Sequence, residues 1–305
     1  MITIRALITM GIGLLITSTT VFAVPFTPVL DEFWIYKSGS EIFRDTFGNN
    51  MPPPNGPDGA TTYLIVGPGG ITSEAGNKLT MTPSLGEQVL ISATLADVST
   101  AGLRRLATGT GNENILDQAS SFEIHGLFDL SSLPMITGQS FGVRANDRAP
   151  DIGYLGNNTF YLFVGVSSMT GDVSIFLRIN DFSLDTSDVL WAESIQSALT
   201  GADQIELVLT KEAVSNQLNA SYSIFDYDLS TTLVKSGEIL NAGALYQPEL
   251  VDPNNPNSGF KDPEPFVRAQ FISTDRVTVP EPATLSLLGL GLLGIPFMRR
   301  RKTPA

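Results

Sequence analysis

Apolar and polar residues alternate one for one over several separate stretches of this chain, and a period of two restricts it to half-buried β-strands. Phe122, Ile124 and Phe128 share one face of their segment, and Glu123 and His125 take the other. Phe141, Val143 and Ala145 alternate with Ser140, Gly142, Arg144 and Asn146. Val173, Ile175, Leu177 and Ile179 alternate with Asp172, Ser174, Phe176 and Arg178. The same pattern runs through Ile205, Leu207 and Leu209, through Ala220, Tyr222 and Ile224, and through Val267, Ala269 and Phe271. Residues 159–166 are apolar on both faces, which predicts a central strand.

One helix is expected within this pattern. Ser187 or Asp188 serves as its N-cap, Trp191, Ile195 and Leu199 lie at four-residue spacing, and Gly201 ends it. Residues 51–59, with Pro52, Pro53, Pro54 and Pro57, and residues 251–265, with Pro253, Pro256, Pro263 and Pro265, are loops by composition. No internal repeat interrupts the order. Many strands with one inserted helix imply an all-β, two-sheet antiparallel sandwich, jelly-roll-like, occupying residues 24–279 as a single domain.

Both ends depart from this pattern. Arg5 precedes an apolar run from Ala6 to Ile16, and Val21, Phe22 and Ala23 close the segment with small residues before a cleavage point. That is the layout of a secretory signal peptide over residues 1–23, cleaved after Ala23. A membrane anchor is the other reading, but the run is short and breaks at Thr17, Ser18, Thr19 and Thr20. At the far end, Pro280, Glu281 and Pro282 precede an uncharged run that opens at Ala283 and closes at Met298. As a helix it spans about 24 Å, slightly less than the hydrocarbon core of a bilayer. Arg299, Arg300, Arg301 and Lys302 follow at once and belong on the cytoplasmic side. Gly289, Gly291, Gly294 and Pro296 suit a membrane helix better than a soluble one.

This order of Pro-Glu-Pro, Leu/Gly-rich helix and terminal arginine cluster resembles the PEP-CTERM sorting signal of Gram-negative bacteria. The resemblance covers residues 280–305 and implies recognition of Pro280, Glu281 and Pro282 by an integral-membrane processing enzyme, exosortase. It further implies the export machinery as a partner and transient anchoring in the inner membrane. The final place would be the cell surface or extracellular matrix of a biofilm- or exopolysaccharide-producing bacterium.

Charge narrows the remaining choices. The chain carries a net charge of −13, and its ends hold Arg5, Arg299, Arg300, Arg301 and Lys302 against Glu281 alone, so the segment between them is more acidic still. Such a surface repels nucleic acid and anionic lipid. Cysteine is absent, which excludes disulfides, thiolate zinc sites and cysteine nucleophiles.

The runs Phe43-Arg44-Asp45-Thr46-Phe47, Gly76-Asn77-Lys78-Leu79 and Ser121-Phe122-Glu123-Ile124 are loosely similar to concanavalin A-like lectin and glucanase jelly rolls. The glucanases of that group carry Glu-x-Asp-x-x-Glu on one strand, which pairs an acid with a nucleophile. Here Glu123-x-His125 with Asp129 is the nearest run, and it lacks both the central carboxylate and the second Glu. His125 is the single histidine, with no Gly-x-Ser-x-Gly elbow and no HExxH to give it a role. It reads more simply as an outward strand residue beside Glu123. No catalytic residues are therefore assigned. Calcium ligands are conceivable at Asp226 and Asp228, at Asn180, Asp181, Asp185 and Asp188, and at Asp252, Asn254, Asn255 and Asn257. None has EF-hand spacing, and acidic turn residues usually serve the turn.

The faces opposite the aliphatic stripes carry Glu123, His125, Arg144, Asn146, Tyr161, Phe163, Phe176 and Arg178. Planar and polar groups mixed on one concave sheet suit sugar rings, and ordinary solvent-facing residues are the plainer reading. The expectation is a structural or exopolysaccharide-binding surface protein without catalysis. The alternative from another class is a secreted glycoside hydrolase or polysaccharide lyase with an atypical site.

Overall fold

The computed structural model describes residues 25–53, 63–93, 116–117, 120–133, 135–148, 158–181, 186–213, 217–226, 232–244 and 266–276. The signal segment, the sorting motif at Pro280–Pro282, the apolar run 283–298 and the basic tail lie outside these residues. Among the described residues no helix is long and apolar enough to cross a membrane. Phe26–Val277 forms one compact unit.

Among the described residues sixteen strands run in order: β1 (Val29–Lys37), β2 (Ser40–Asp45), β3 (Tyr63–Pro68), β4 (Gly70–Glu74), β5 (Leu79–Pro83), β6 (Glu87–Ala93), β7 (Leu116–Asp117), β8 (Phe122–Asp129), β9 (Gln139–Arg148), β10 (Asn158–Val166), β11 (Val173–Asp181), β12 (Thr186–Ser194), β13 (Gln204–Lys211), β14 (Gln217–Asp226), β15 (Thr232–Ala244) and β16 (Phe266–Asp275). They build two antiparallel sheets. The first has the order β15-β14-β13-β8-β1-β5-β4, with β2 also paired to β1; the second has β12-β11-β10-β9-β16-β6-β3, with β7 paired to β16. The apolar stripes of the two sheets meet as the core of a sandwich, as the alternation implies.

The first sheet contributes Leu30, Phe33, Ile35, Ile124, Phe128, Ile205, Leu207 and Leu209, all fully buried. Phe141, Val143, Phe160, Leu162, Ile175, Leu177 and Phe271 answer from the second. Phe33 of β1 meets Phe271 of β16 edge-to-face, with ring centroids 5.0 Å apart. Phe43, Phe47 and Tyr63 close around the same pair. Each such ring contributes roughly 1.5–3 kcal/mol by leaving water, so a chain without cysteine needs no crosslink.

Tight turns set the register. Ser38 and Gly39 (φ 50° and 77°) join β1 to β2, and Gly76 and Asn77 (φ 61° and 60°) join β4 to β5. Positive φ at both central residues matches the twist of a two-residue hairpin, and glycine and asparagine tolerate it.

The helix expected from Ser187/Asp188 to Gly201 is not formed. Residues 186–194 are strand β12, which completes the open edge of β11 from Asp181↔Thr186 to Ser174↔Ser194. Only one turn of 3-10 helix follows, at Gln196–Ala198. Hydrogen bonding along an exposed edge outweighs a weak local preference for helix. A bulge opposite Leu177/Arg178 breaks the strict alternation of β12, and this disguises it in the sequence. Lys235 of β15 fixes the strand from the first sheet: its Nζ sits 2.9 Å from Glu193 Oε1 and donates to Ser194 O at 2.8 Å.

Candidate functional site

The residues expected to share one concave face are divided between two. Glu123 and His125 stand on β8, outside the first sheet, whereas Arg144, Tyr161, Phe176 and Arg178 stand on β9, β10 and β11, outside the second. Alternation tells which side chains leave the core, but not which sheet their strand joins.

On the first sheet, direct cross-strand neighbours form the row Arg44, Trp34, His125 across β2, β1 and β8. The imidazole stacks on the indole at 4.7 Å and 15°, and the Arg44 guanidinium lies 4.8 Å over the same indole. Arg44 also pairs with Glu32 and Glu41, each at 2.8 Å. His125 Nδ1 lies 2.8 Å from Glu206 Oε1, and Nε2 lies 2.9 Å from Glu123 Oε2. The cluster is thus internally satisfied: both nitrogens of His125 are engaged, and flanking groups occupy the indole. Trp34, Arg44 and Glu206 escaped the sequence reading, although Trp34 falls between inward Phe33 and Ile35 and the same alternation marks it as outward.

The second sheet is different. Register places Gln270, Arg144, Tyr161 and Arg178 side by side across β16, β9, β10 and β11. The adjoining row is Ile272, Gly142, Phe163, Phe176. Tyr161 stacks on Phe163 at 4.3 Å and 19°, and Phe163 stacks on Phe176 at 5.2 Å and 21°. The Arg178 guanidinium rests 5.5 Å over the Phe163 ring. Gly142 makes this close row possible, since a Cβ there would come within 2.7 Å of the Phe163 Cα. Phe163 is 7% exposed and forms the floor; Phe176 is half-buried and forms the outer end of the stack.

Polar atoms on this face are incompletely matched. Arg144 Nη2 donates to Thr159 Oγ1 at 3.2 Å, and the Tyr161 hydroxyl meets Ser140 Oγ at 3.1 Å. Among the described residues Nε of Arg144, Nε of Arg178 and Oε1 of Gln270 are buried without partners. Burial lowers the Arg144 pKa to about 10 and raises that of Tyr161 to about 12. Gln270, 2% exposed, was missed by the sequence reading because nothing local marks its place beside Arg144.

Asp226 ends β14, Asp188 lies in β12, and Asn180 and Asp181 end β11; Asp185, Asp228 and the group from Asp252 to Asn257 lie outside the described residues. Among the described residues no three acidic or histidine side chains are grouped to hold a metal ion.

No curated protein matches the chain. Residues 278–302 match the PEP-CTERM protein-sorting motif, the segment that carries Pro280, Glu281, Pro282 and the arginine cluster. The chain therefore carries a surface-sorting signal of the exosortase type and is an exported protein of the cell surface or extracellular matrix.

Proposed function

We propose that this chain is a non-catalytic component of the bacterial surface or matrix that holds exopolysaccharide on the outer face of its second sheet. The signal segment is removed after Ala23, the run from Ala283 to Met298 anchors the chain transiently in the inner membrane, and an exosortase-type enzyme processes it near Pro280–Pro282. One observation carries the binding role: the stack of Tyr161, Phe163 and Phe176 lies beside Arg144 and Arg178. Aromatic surface flanked by hydrogen-bonding groups suits a sugar, whose ring is apolar on its faces and polar at its rim. The hydrolase or lyase reading lacks comparable support, because Glu123 and Glu206 converge on His125, which engages both.

A glycan array probed with the full-length chain in non-ionic detergent tests the proposal. Binding is expected to weaken in Phe176→Ala, whose contribution at the outer end of the stack is about 1 kcal/mol. An array with no bound glycan would overturn it. Intact-mass measurement of surface-extracted protein is expected to show a mature N-terminus at Val24 and loss of Arg299–Lys302.

A further inference from the structure

We infer that the ligand of the second sheet is an acidic polysaccharide, with sugar carboxylates received by Arg144 and Arg178 on either side of Tyr161. This rests on the glycan reading above and specifies its chemistry. The chain carries net charge −13, yet Arg144 and Arg178 face outward from one row with no acidic residue in that row or the adjoining one across β16, β9, β10 and β11. Neither arginine has an ion pair among the described residues: Arg144 holds only the Thr159 hydroxyl, and Arg178 the face of Phe163. An arginine removed from water without a counter-charge is costly, and the lowered pKa of Arg144 reflects that burial.

The unmatched atoms describe what is needed. The part-exposed guanidinium side chains of Arg144 and Arg178 call for anionic acceptors, whereas their Nε atoms and Gln270 Oε1 are closed off from solvent, so a donor reaches Gln270 only after a local shift. A carboxylate alone provides no donor at neutral pH, and a neutral sugar provides no charge. A hydroxylated acid provides both. With neighbouring strands about 4.8 Å apart, the two guanidinium-bearing strands lie roughly 10 Å apart across β10. That separation allows a polymer to place one acidic unit at each arginine, with the ring between them against Tyr161. Arg144 and Arg178 both retain part-exposed surface through which the polymer reaches them.

The test titrates the full-length chain in non-ionic detergent with polygalacturonate, neutral dextran and polyglutamate, at low and high salt. Polygalacturonate is expected to bind in a salt-sensitive manner, and the other two much more weakly. Arg144→Gln and Arg178→Gln should each reduce affinity about tenfold, equivalent to about 1.4 kcal/mol, and Arg178→Lys should recover part of the loss. Removing an uncompensated buried charge should leave the melting temperature of Arg144→Gln unchanged or higher. If Arg144→Gln fails to fold, Arg178→Gln decides the affinity result alone. Dextran binding as tightly as polygalacturonate overturns the acidic assignment and leaves the glycan reading standing. Polyglutamate binding as tightly overturns the glycan reading and leaves an anion site. Binding of none overturns both.

Discussion

Phe176 of β11 stacks on Phe163 of β10 at a centroid separation of 5.2 Å, outside the second sheet and away from the core. The two rings differ in depth, Phe163 as floor and Phe176 as half-buried end, so truncation should separate them. Phe176→Ala should cost about 1–2 kcal/mol, mostly lost stacking and partial burial. Phe271→Ala, which opens a cavity among Phe33, Phe47 and Tyr63, should cost about 3–5 kcal/mol. Urea denaturation of the two variants compares them directly. Equal losses would place Phe176 in a packed interior.

Tyr63 donates a 2.7 Å hydrogen bond to Asp45 Oδ2, and both residues are buried. Asp45 Oδ1 accepts from the Phe47 backbone N–H, which holds Phe47 under the core rings. Tyr63→Phe leaves a carboxylate oxygen without its donor and should cost about 1–3 kcal/mol. Burial, reinforced by the Asp45 charge, raises the Tyr63 pKa well above the ordinary phenol value. This contribution is complete below the unfolded value near 10 and is lost as pH rises through the folded one. Wild type should therefore lose more stability than Tyr63→Phe in alkaline urea titrations.

Lys78 bridges Asp129 at 2.7 Å and Asp31 at 3.2 Å. Its pKa is raised, first by the hydrogen bond to Asp129. Burial pushes Asp129 up, but Lys78 and Ser131 outweigh it and hold the carboxyl below the ordinary range. The Asp129 contribution is present above the unfolded value near 3.9 and is lost as pH falls through the folded one. The Lys78 contribution is present below its unfolded value and is lost as pH rises through the folded one. Lys78→Met should cost about 1 kcal/mol at neutral pH, discounted for the partial exposure of the lysine. The deficit should shrink in acid as Asp129 protonates. A deficit that stays constant from pH 7 to pH 3 would assign the loss to packing instead of charge.

Gly142 faces outward where a Cβ would strike the Leu162 carbonyl and the Phe163 backbone. Gly142→Ala should destabilise the protein by about 1–3 kcal/mol and displace Phe163. Loss of glycan affinity should therefore accompany a fall in melting temperature. Unchanged stability would show that β9 and β10 shift apart readily.

Local sequence determined strands β8, β9, β10, β11, β13, β14 and β16, their inward stripes and the signal at the C-terminus, because side-chain alternation and a contiguous motif both lie within a few residues of chain. Ile205, Leu207 and Leu209 could be read as inward without knowing what lay opposite them. Tertiary structure decided everything that depends on neighbours distant in sequence. It made residues 186–194 a strand, because the edge of β11 was open and backbone pairing there outweighed the helical spacing of Trp191, Ile195 and Leu199. It also sent His125 to one outer face and Arg144 to the other, and brought Gln270 beside Arg144 from the far end of the chain. A period of two states whether a side chain points in or out; only the crossing of the chain between sheets determines which outer face it joins.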